Sequence, residues 1–198
     1  VVRHSTPYLD GYLKELCDKQ LLLASATTEE GIGGDVRSST CAVEQSGDAF
    51  RLRKRAPVIS YGQETDDILV TARRNLEATA SDQVLVLVRK ESTRLEKING
   101  WDTLGMRGTC SLGFAVEAAG TADQILPAPY AEISQQTMHP VSHLLWSSLW
   151  LGIATDALNI ARAYVRAAAR KSPGTPPPAA LRLAELGVAH NQMRATIA

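Results

Sequence analysis

Cysteine is scarce in this chain, with three residues (Cys17, Cys41 and Cys110) among 198. An odd number without metal-like spacing supports neither a disulfide framework nor a zinc site, and reducing, cytoplasmic conditions are the default expectation. Aromatic residues are few, and neither sign of charge is in surplus: 21 Lys and Arg stand against 21 Asp and Glu. That balance argues against a dedicated nucleic-acid binder, which needs a basic excess or patch to meet phosphates. The longest basic run, Arg51-Leu52-Arg53-Lys54-Arg55, reads as the exposed face of a strand. No run approaches the ~20 consecutive apolar residues of a membrane helix, so no membrane span is expected. The first residues, Val1-Val2-Arg3-His4, carry no start Met, no secretory apolar core and no transit pattern, and a fragment is expected.

What is present changes character twice along the chain. Residues 1–20 are weakly helical, with Leu9, Leu13 and Leu16 three or four apart and Tyr12 beside them. From Leu21 to Pro129 the pattern is β. Leu21–Ala24 is a short apolar run, and Ser39–Glu44 leads through the turn Ser46-Gly47-Asp48 into Ala49–Leu52, a hairpin signal. Further strands are expected at Pro57–Ser60, Asp67–Ala72, Gln83–Val88 and Ser111–Glu117. Short strands at this spacing, with no helices alternating between them, indicate a closed or sandwich-like β unit and not a Rossmann sheet. After Pro140 the chain turns helical: Trp146, Leu149, Trp150, Ile153, Ala157, Ile160, Ala161 and Tyr164 recur at helical spacing. Pro173-Gly174 and Pro176-Pro177-Pro178 end that helix near Lys171 and start a second near Pro178.

Two loops concentrate glycine. Thr28-Glu29-Glu30-Gly31-Ile32-Gly33-Gly34-Asp35 follows an apolar run. It fits neither G-x-G-x-x-G nor a Walker loop, so alone it reads as a turn, or as a loop whose backbone amides can approach a ligand. Gly100–Ser111 combines Trp101, Arg107 and three glycines. Here Trp101 is expected as a packing anchor and Arg107 as a bracket for backbone carbonyls. His139 and His143 have the i,i+4 spacing of a helical metal pair, but Pro140 lies between them and no carboxylate is near, so a surface or helix-start role is expected and no metal.

Taken in order, these segments resemble the acyl-CoA dehydrogenase family. The family's Thr-Glu-Pro-Gly-x-Gly-Ser-Asp loop is similar to Thr28–Asp35. Its Trp-Ile-Thr-Asn-Gly strand end is similar to Val58-Ile59-Ser60-Tyr61-Gly62, and its Leu-Gly-x-Arg-Gly-Thr/Ser segment to Leu104–Thr109. Arg170-Lys171-Ser172-Pro173-Gly174 stands where the family often has Arg-Lys-x-Phe-Gly. The series spans residues 20 to 198.

The resemblance implies an α+β fold: an antiparallel β-barrel or sandwich middle domain followed by helices of an incomplete four-helix bundle. Residues 1–20 would end an N-terminal helical domain, 21–132 would form the flavin-binding β-domain, and 138–198 would be the first two helices of the C-terminal domain. It implies FAD as cofactor and α,β-dehydrogenation of an acyl-CoA thioester, as in fatty acid metabolism, with electrons leaving to an electron-transferring flavoprotein. By position, Ala26, Thr27 and Thr28 would line the pyrimidine end of the flavin, with Gly33 nearby and Gly34 toward the substrate chain. Ile59 and Ser60 would face the ring. Arg170 and Ser172 would reach the FAD of a neighbouring subunit, which implies a homo-oligomer (dimer or tetramer) or a hetero-oligomer.

The sequence departs from that pattern in several places. The loop proline is Glu30, the serine after the loop's second glycine is Gly34, the flavin-stacking Trp is Val58, and the Phe is Pro173; Ala180-Leu181 stands where the family has His-Gln. The usual catalytic Glu would lie beyond Ala198, and its alternative position aligns with Leu144, so no catalytic residue is assigned and the isolated chain is expected to be inactive. The same departures leave two other readings: a non-catalytic subunit with weakened FAD binding, and a flavin oxidase or monooxygenase.

Overall fold

A computed structural model describes residues 1–197, and the chain forms two compact units, Val1–Ser134 and Gln135–Ala198. In the first, helix α1 (Pro7–Lys19) precedes seven strands: β1 (Leu23–Ala26), β2 (Glu44–Ser46), β3 (Ala49–Ile59), β4 (Asp67–Arg73), β5 (Gln83–Arg89), β6 (Thr93–Lys97) and β7 (Leu112–Thr121). They make two sheets, β1-β4-β5 and β2-β3-β7-β6. Every pairing is antiparallel except that of β1 with β4. Of the two forms expected, barrel or sandwich, the chain takes two antiparallel-rich sheets without a closed barrel.

The core lies between the sheets. β4 and β5 are buried along nearly their whole length, as their β-branched runs require, with Val70 opposite Val86. β3 alternates: Phe50, Leu52, Lys54 and Ala56 point inward, while Arg51, Arg53 and Arg55 point out. The basic run is therefore not one exposed face, because period two sends Lys54 into the interior. The ladder between β3 and β7 shifts register between Ala56 and Ile59, around Pro57, which has no N–H to donate. Asn99 repairs the gap by donating from Nδ2 to the Pro57 carbonyl at 3.1 Å while its Oδ1 accepts the Gly113 amide.

Residues 39–44, expected as a strand, enter a sheet only at Glu44; Ala42 makes an isolated bridge to Arg73. β6, an edge strand, was not expected from the sequence. Helix α1 is capped by Thr6, whose hydroxyl accepts the Leu9 amide, and buries Leu9 and Tyr12. Arg89 of β5 grips Glu15 with two bonds of 2.9 and 3.0 Å and lies 5.0 Å over the Tyr12 ring.

In the second unit, α3 (His139–Lys171) packs on α4 (Ala179–Ile197), burying Leu158 and Val165 of α3. Thr155 Oγ1 meets His190 Nε2 at 2.7 Å across the pair, and His139 and His143 stack ring on ring. A short helix α2 (Tyr130–Ile133) and one π-helical turn lead into α3. By length and composition alone, the continuous helix Tyr130–Lys171 could cross a membrane. It is a bundle-type helix that lays part of its apolar surface on α4, and it is not a membrane span.

Candidate functional site

The glycine loop leaves β1 at Ala26, which is fully buried, and rises through Thr27 and Thr28, which are half-buried. Thr71 of β4 ties its start down, its hydroxyl lying 3.5 Å from the Ala26 carbonyl and 3.4 Å from that of Thr27. Thr28 Oγ1 then donates to the Val58 carbonyl at 2.9 Å. The loop thus lies against the end of β3, two residues from Ser60. The Glu30 amide adds a bond to the Arg55 carbonyl at 2.9 Å, and the Glu30 and Arg55 side chains pair at 2.7 Å.

Beyond Glu30 the loop opens. Gly31, Gly33 and Gly34 all have positive φ, which L-residues adopt at a cost, and Gly33 and Gly34 have open space where a side chain would be. Asp35 closes the turn. The Arg37 amide and then its guanidinium hold the Asp35 carboxyl below the usual carboxylate range.

The third segment closes on the same strand end. The Tyr61 amide donates to the Thr109 carbonyl at 3.0 Å. Ser60 Oγ is 2.9 Å from Ser111 Oγ, which is 2.7 Å from Thr109 Oγ1. Ser60 is exposed and Ser111 is buried. Tyr61, Met106 and Cys110 sit in the left-handed region, so the junction is tightly folded on both sides. Arg107 donates to the Thr103 carbonyl at 2.7 Å and pairs with Asp102 at 3.2 Å, and Trp101 Nε1 donates to the Met106 carbonyl. Arg107 brackets a backbone carbonyl of its own loop, as expected, whereas Trp101, expected as a packing anchor, ties the loop by a hydrogen bond.

Three motifs from distant parts of the sequence therefore meet at the end of β3. Of the residues expected to hold a cofactor there, Thr28 and Ser60 present hydroxyls, whereas the side chains of Ala26 and Ile59 are wholly in the core and only their backbone is available. Arg170 and Ser172 belong to the second unit, at the end of α3, and both are exposed.

The sequence reading missed a buried polar cluster under the loop. The Glu29 carboxylate accepts bonds from Ser39 Oγ (2.6 Å), the Thr40 amide and hydroxyl, and the Cys41 amide (2.7 Å). Lys54 Nζ lies 3.6 Å from it and donates to the carbonyl and hydroxyl of Thr71 at 2.7 and 2.8 Å. Burial opposes the Glu29 charge, but the Ser39 and Thr40 bonds, the Lys54 charge and the Cys41 amide outweigh it and hold the carboxyl below its usual range. Burial pulls Lys54 down despite the facing Glu29, and pushes the Cys41 thiol up to about 11, which leaves it unreactive. The available signal was the inward register of Lys54 between Leu52 and Ala56.

No protein-family model matches the sequence. Solved structures resemble it closely in shape. An acyl-CoA dehydrogenase from Geobacillus kaustophilus matches with a TM-score of 0.74 at 18% identity, over 94% of this chain and 51% of that one. PigA, solved with FAD and proline, matches with a TM-score of 0.78 at 19% identity, over 98% of this chain and 52% of its own. The prolyl acyl carrier protein oxidase AnaB matches with a TM-score of 0.70 at 18% identity, over 94% and 50% respectively. The chain spans about half the length of each. Likeness at such identities speaks to the fold: this chain carries the fold of the middle β-domain and C-terminal helices of the acyl-CoA dehydrogenases.

Proposed function

We propose that this chain forms the β-domain wall of an FAD site in an oxidoreductase that dehydrogenates an acyl thioester between its α and β carbons, an acyl-CoA being the first substrate to test. The observation that carries this reading is the Thr28–Val58 hydrogen bond, which sets the glycine loop against the strand end bearing Ser60. The residues present suit a flavin. Hydroxyls at Thr28 and Ser60, backbone at Ala26, Thr27 and Ile59, and an open glycine turn at Gly33 offer polar partners and close approach to a flat ring. Gly34, open and without a side chain, would leave room for the thioester's arm. Arg170 would contribute a cation, and Ser172 a hydroxyl, to the FAD of a neighbouring subunit, the cation suiting its pyrophosphate.

When bound, FAD supplies the two-electron acceptor chemistry. This chain's share is to orient the ring by hydrogen bonds, to pack it from one side, and to keep the loop rigid through the Glu29–Lys54 cluster beneath it. No proton acceptor is assigned among these residues. Electrons would pass to an electron-transferring flavoprotein. The three unpaired cysteines fit a cytoplasmic setting.

A second reading has its own support: the likeness to a carrier-protein oxidase favours a carrier-bound thioester with oxygen as electron acceptor. Anaerobic addition of an acyl-CoA to the FAD-loaded protein that carries this chain separates the cases. Bleaching of the flavin supports a catalytic reading, with oxygen consumption in air marking the oxidase and its absence the dehydrogenase, and binding without bleaching supports a non-catalytic subunit. A protein that takes up no added FAD refutes all but the non-catalytic reading.

A further inference from the structure

Three hydroxyls and one carbonyl form a chain that passes through the buried Ser111 and returns to the exposed loop: Ser60 Oγ, Ser111 Oγ, Thr109 Oγ1 and the Met106 oxygen. The contacts along it are 2.9, 2.7 and 2.8 Å. Each contact of this length between oxygens needs one proton, because two lone pairs facing each other repel. There are three contacts and three hydroxyl protons, and the carbonyl brings none. Only one assignment fills every contact. Thr109 donates to Met106, Ser111 donates to Thr109, and Ser60 donates to Ser111.

We infer that Ser111 and Thr109 are positioning residues that fix the polarity of Ser60: its proton is held inward, and the exposed side of its oxygen offers only lone pairs. Ser60 therefore selects a ligand group that donates. This step rests on the flavin reading above and deepens it. The oxidised ring presents a bare ring nitrogen as acceptor, whereas the two-electron-reduced ring presents an N–H. A Ser60 oxygen wired as acceptor favours the reduced ring, and the preference originates at Met106, a backbone carbonyl in a left-handed turn (φ 59°) at the far end of the chain from Ser60. Directional chains of this kind reinforce each bond along their length.

Two measurements test this. Neutron diffraction from deuterated crystals of the protein, without flavin, locates the hydroxyl deuterons. We expect one on Ser60 Oγ aimed at Ser111; one on Ser111 aimed at Ser60 overturns the inference, whatever the ligand. Affinities for oxidised and dithionite-reduced FAD then give the ligand preference. In Ser111→Ala, and in Thr109→Val, which breaks the chain at a more exposed link, Ser60 is free to turn its proton outward. The ratio of the oxidised to the reduced dissociation constant should fall by about three- to tenfold, the range of one hydrogen bond; tenfold is ~30 mV for a two-electron couple. Ser60→Ala combined with Ser111→Ala should match Ser60→Ala alone. An unchanged ratio in both folded single variants overturns the proposed preference. A protein that binds neither form removes the flavin reading and the preference with it, and the neutron result still decides the proton direction.

Discussion

Lys54 Nζ stands 3.6 Å from Glu29 Oε2, and both side chains are shut off from solvent, at 0% and 4% exposure. The pair joins the middle of β3 to the glycine loop one residue beyond Thr28. Through Ser39, Thr40 and Cys41 it also holds the 39–41 segment. It is a tie between the sandwich core and the candidate site.

Removing one partner leaves an uncompensated buried charge. Glu29→Gln or Lys54→Met should each destabilise by about 3–5 kcal/mol, whereas the double substitution should recover much of that loss. Urea unfolding midpoints check this; single substitutions with wild-type midpoints would show the pair to be idle.

Acid should weaken the fold in a defined window. Glu29 is held below its usual value near 4.5, and the Arg89 and Lys19 bonds hold Glu15 down to about 2. A carboxylate with a depressed folded pKa contributes stability that is whole above its unfolded pKa and disappears as pH falls through the folded one. Stability should therefore be flat from neutrality to about pH 5 and fall between about 4.5 and 2. Glu15→Gln should shallow that fall, as read from unfolding free energy against pH.

Gly62 and Gly113 are filled positions. A Cβ on Gly62 would stand 2.6 Å from the Phe114 ring, and one on Gly113 would stand 2.6 Å from the Asn99 amide. Gly62→Ala should cost about 1–3 kcal/mol by overpacking. Gly113→Ala should displace Asn99 from Pro57, which the loss of the Asn99 side-chain amide signal from its native NMR position would report.

Thr28→Val keeps the shape and deletes the bond to Val58. A cost of about 0.5–1.5 kcal/mol in stability is expected, with faster amide exchange at Glu30, whose partner is the Arg55 carbonyl. Unchanged exchange there would mean the loop is held without Thr28.

Much of this architecture was legible because it is locally encoded. The β-branched runs of β4 and β5, the Gly47 hairpin and the proline-bounded α3 follow from patterns contained within each element. β6 escaped because it is an edge strand with one apolar residue, Leu95, among Thr93, Arg94, Glu96 and Lys97. Parallel pairing of β1 with β4 escaped because its partners lie 44 residues apart, as at Leu23 and Asp67. At the site, Thr28 and Ser60 could be singled out by motif. Lys54 and Ser111 could not, and Thr109 was legible only as a motif position, because their roles come from which hydroxyl or carboxylate the fold sets beside them.

The most direct measurement is titration of FAD into the protein that carries this chain, wild type against Thr28→Val and Ser60→Ala, followed by the flavin's visible absorption and fluorescence. A flavin wall built from these two strand ends requires saturable uptake by the wild type, with Thr28→Val binding oxidised FAD, and Ser60→Ala binding dithionite-reduced FAD, about three- to tenfold more weakly, the range of one lost hydrogen bond. Equal binding by all three proteins, or none by the wild type, would contradict it.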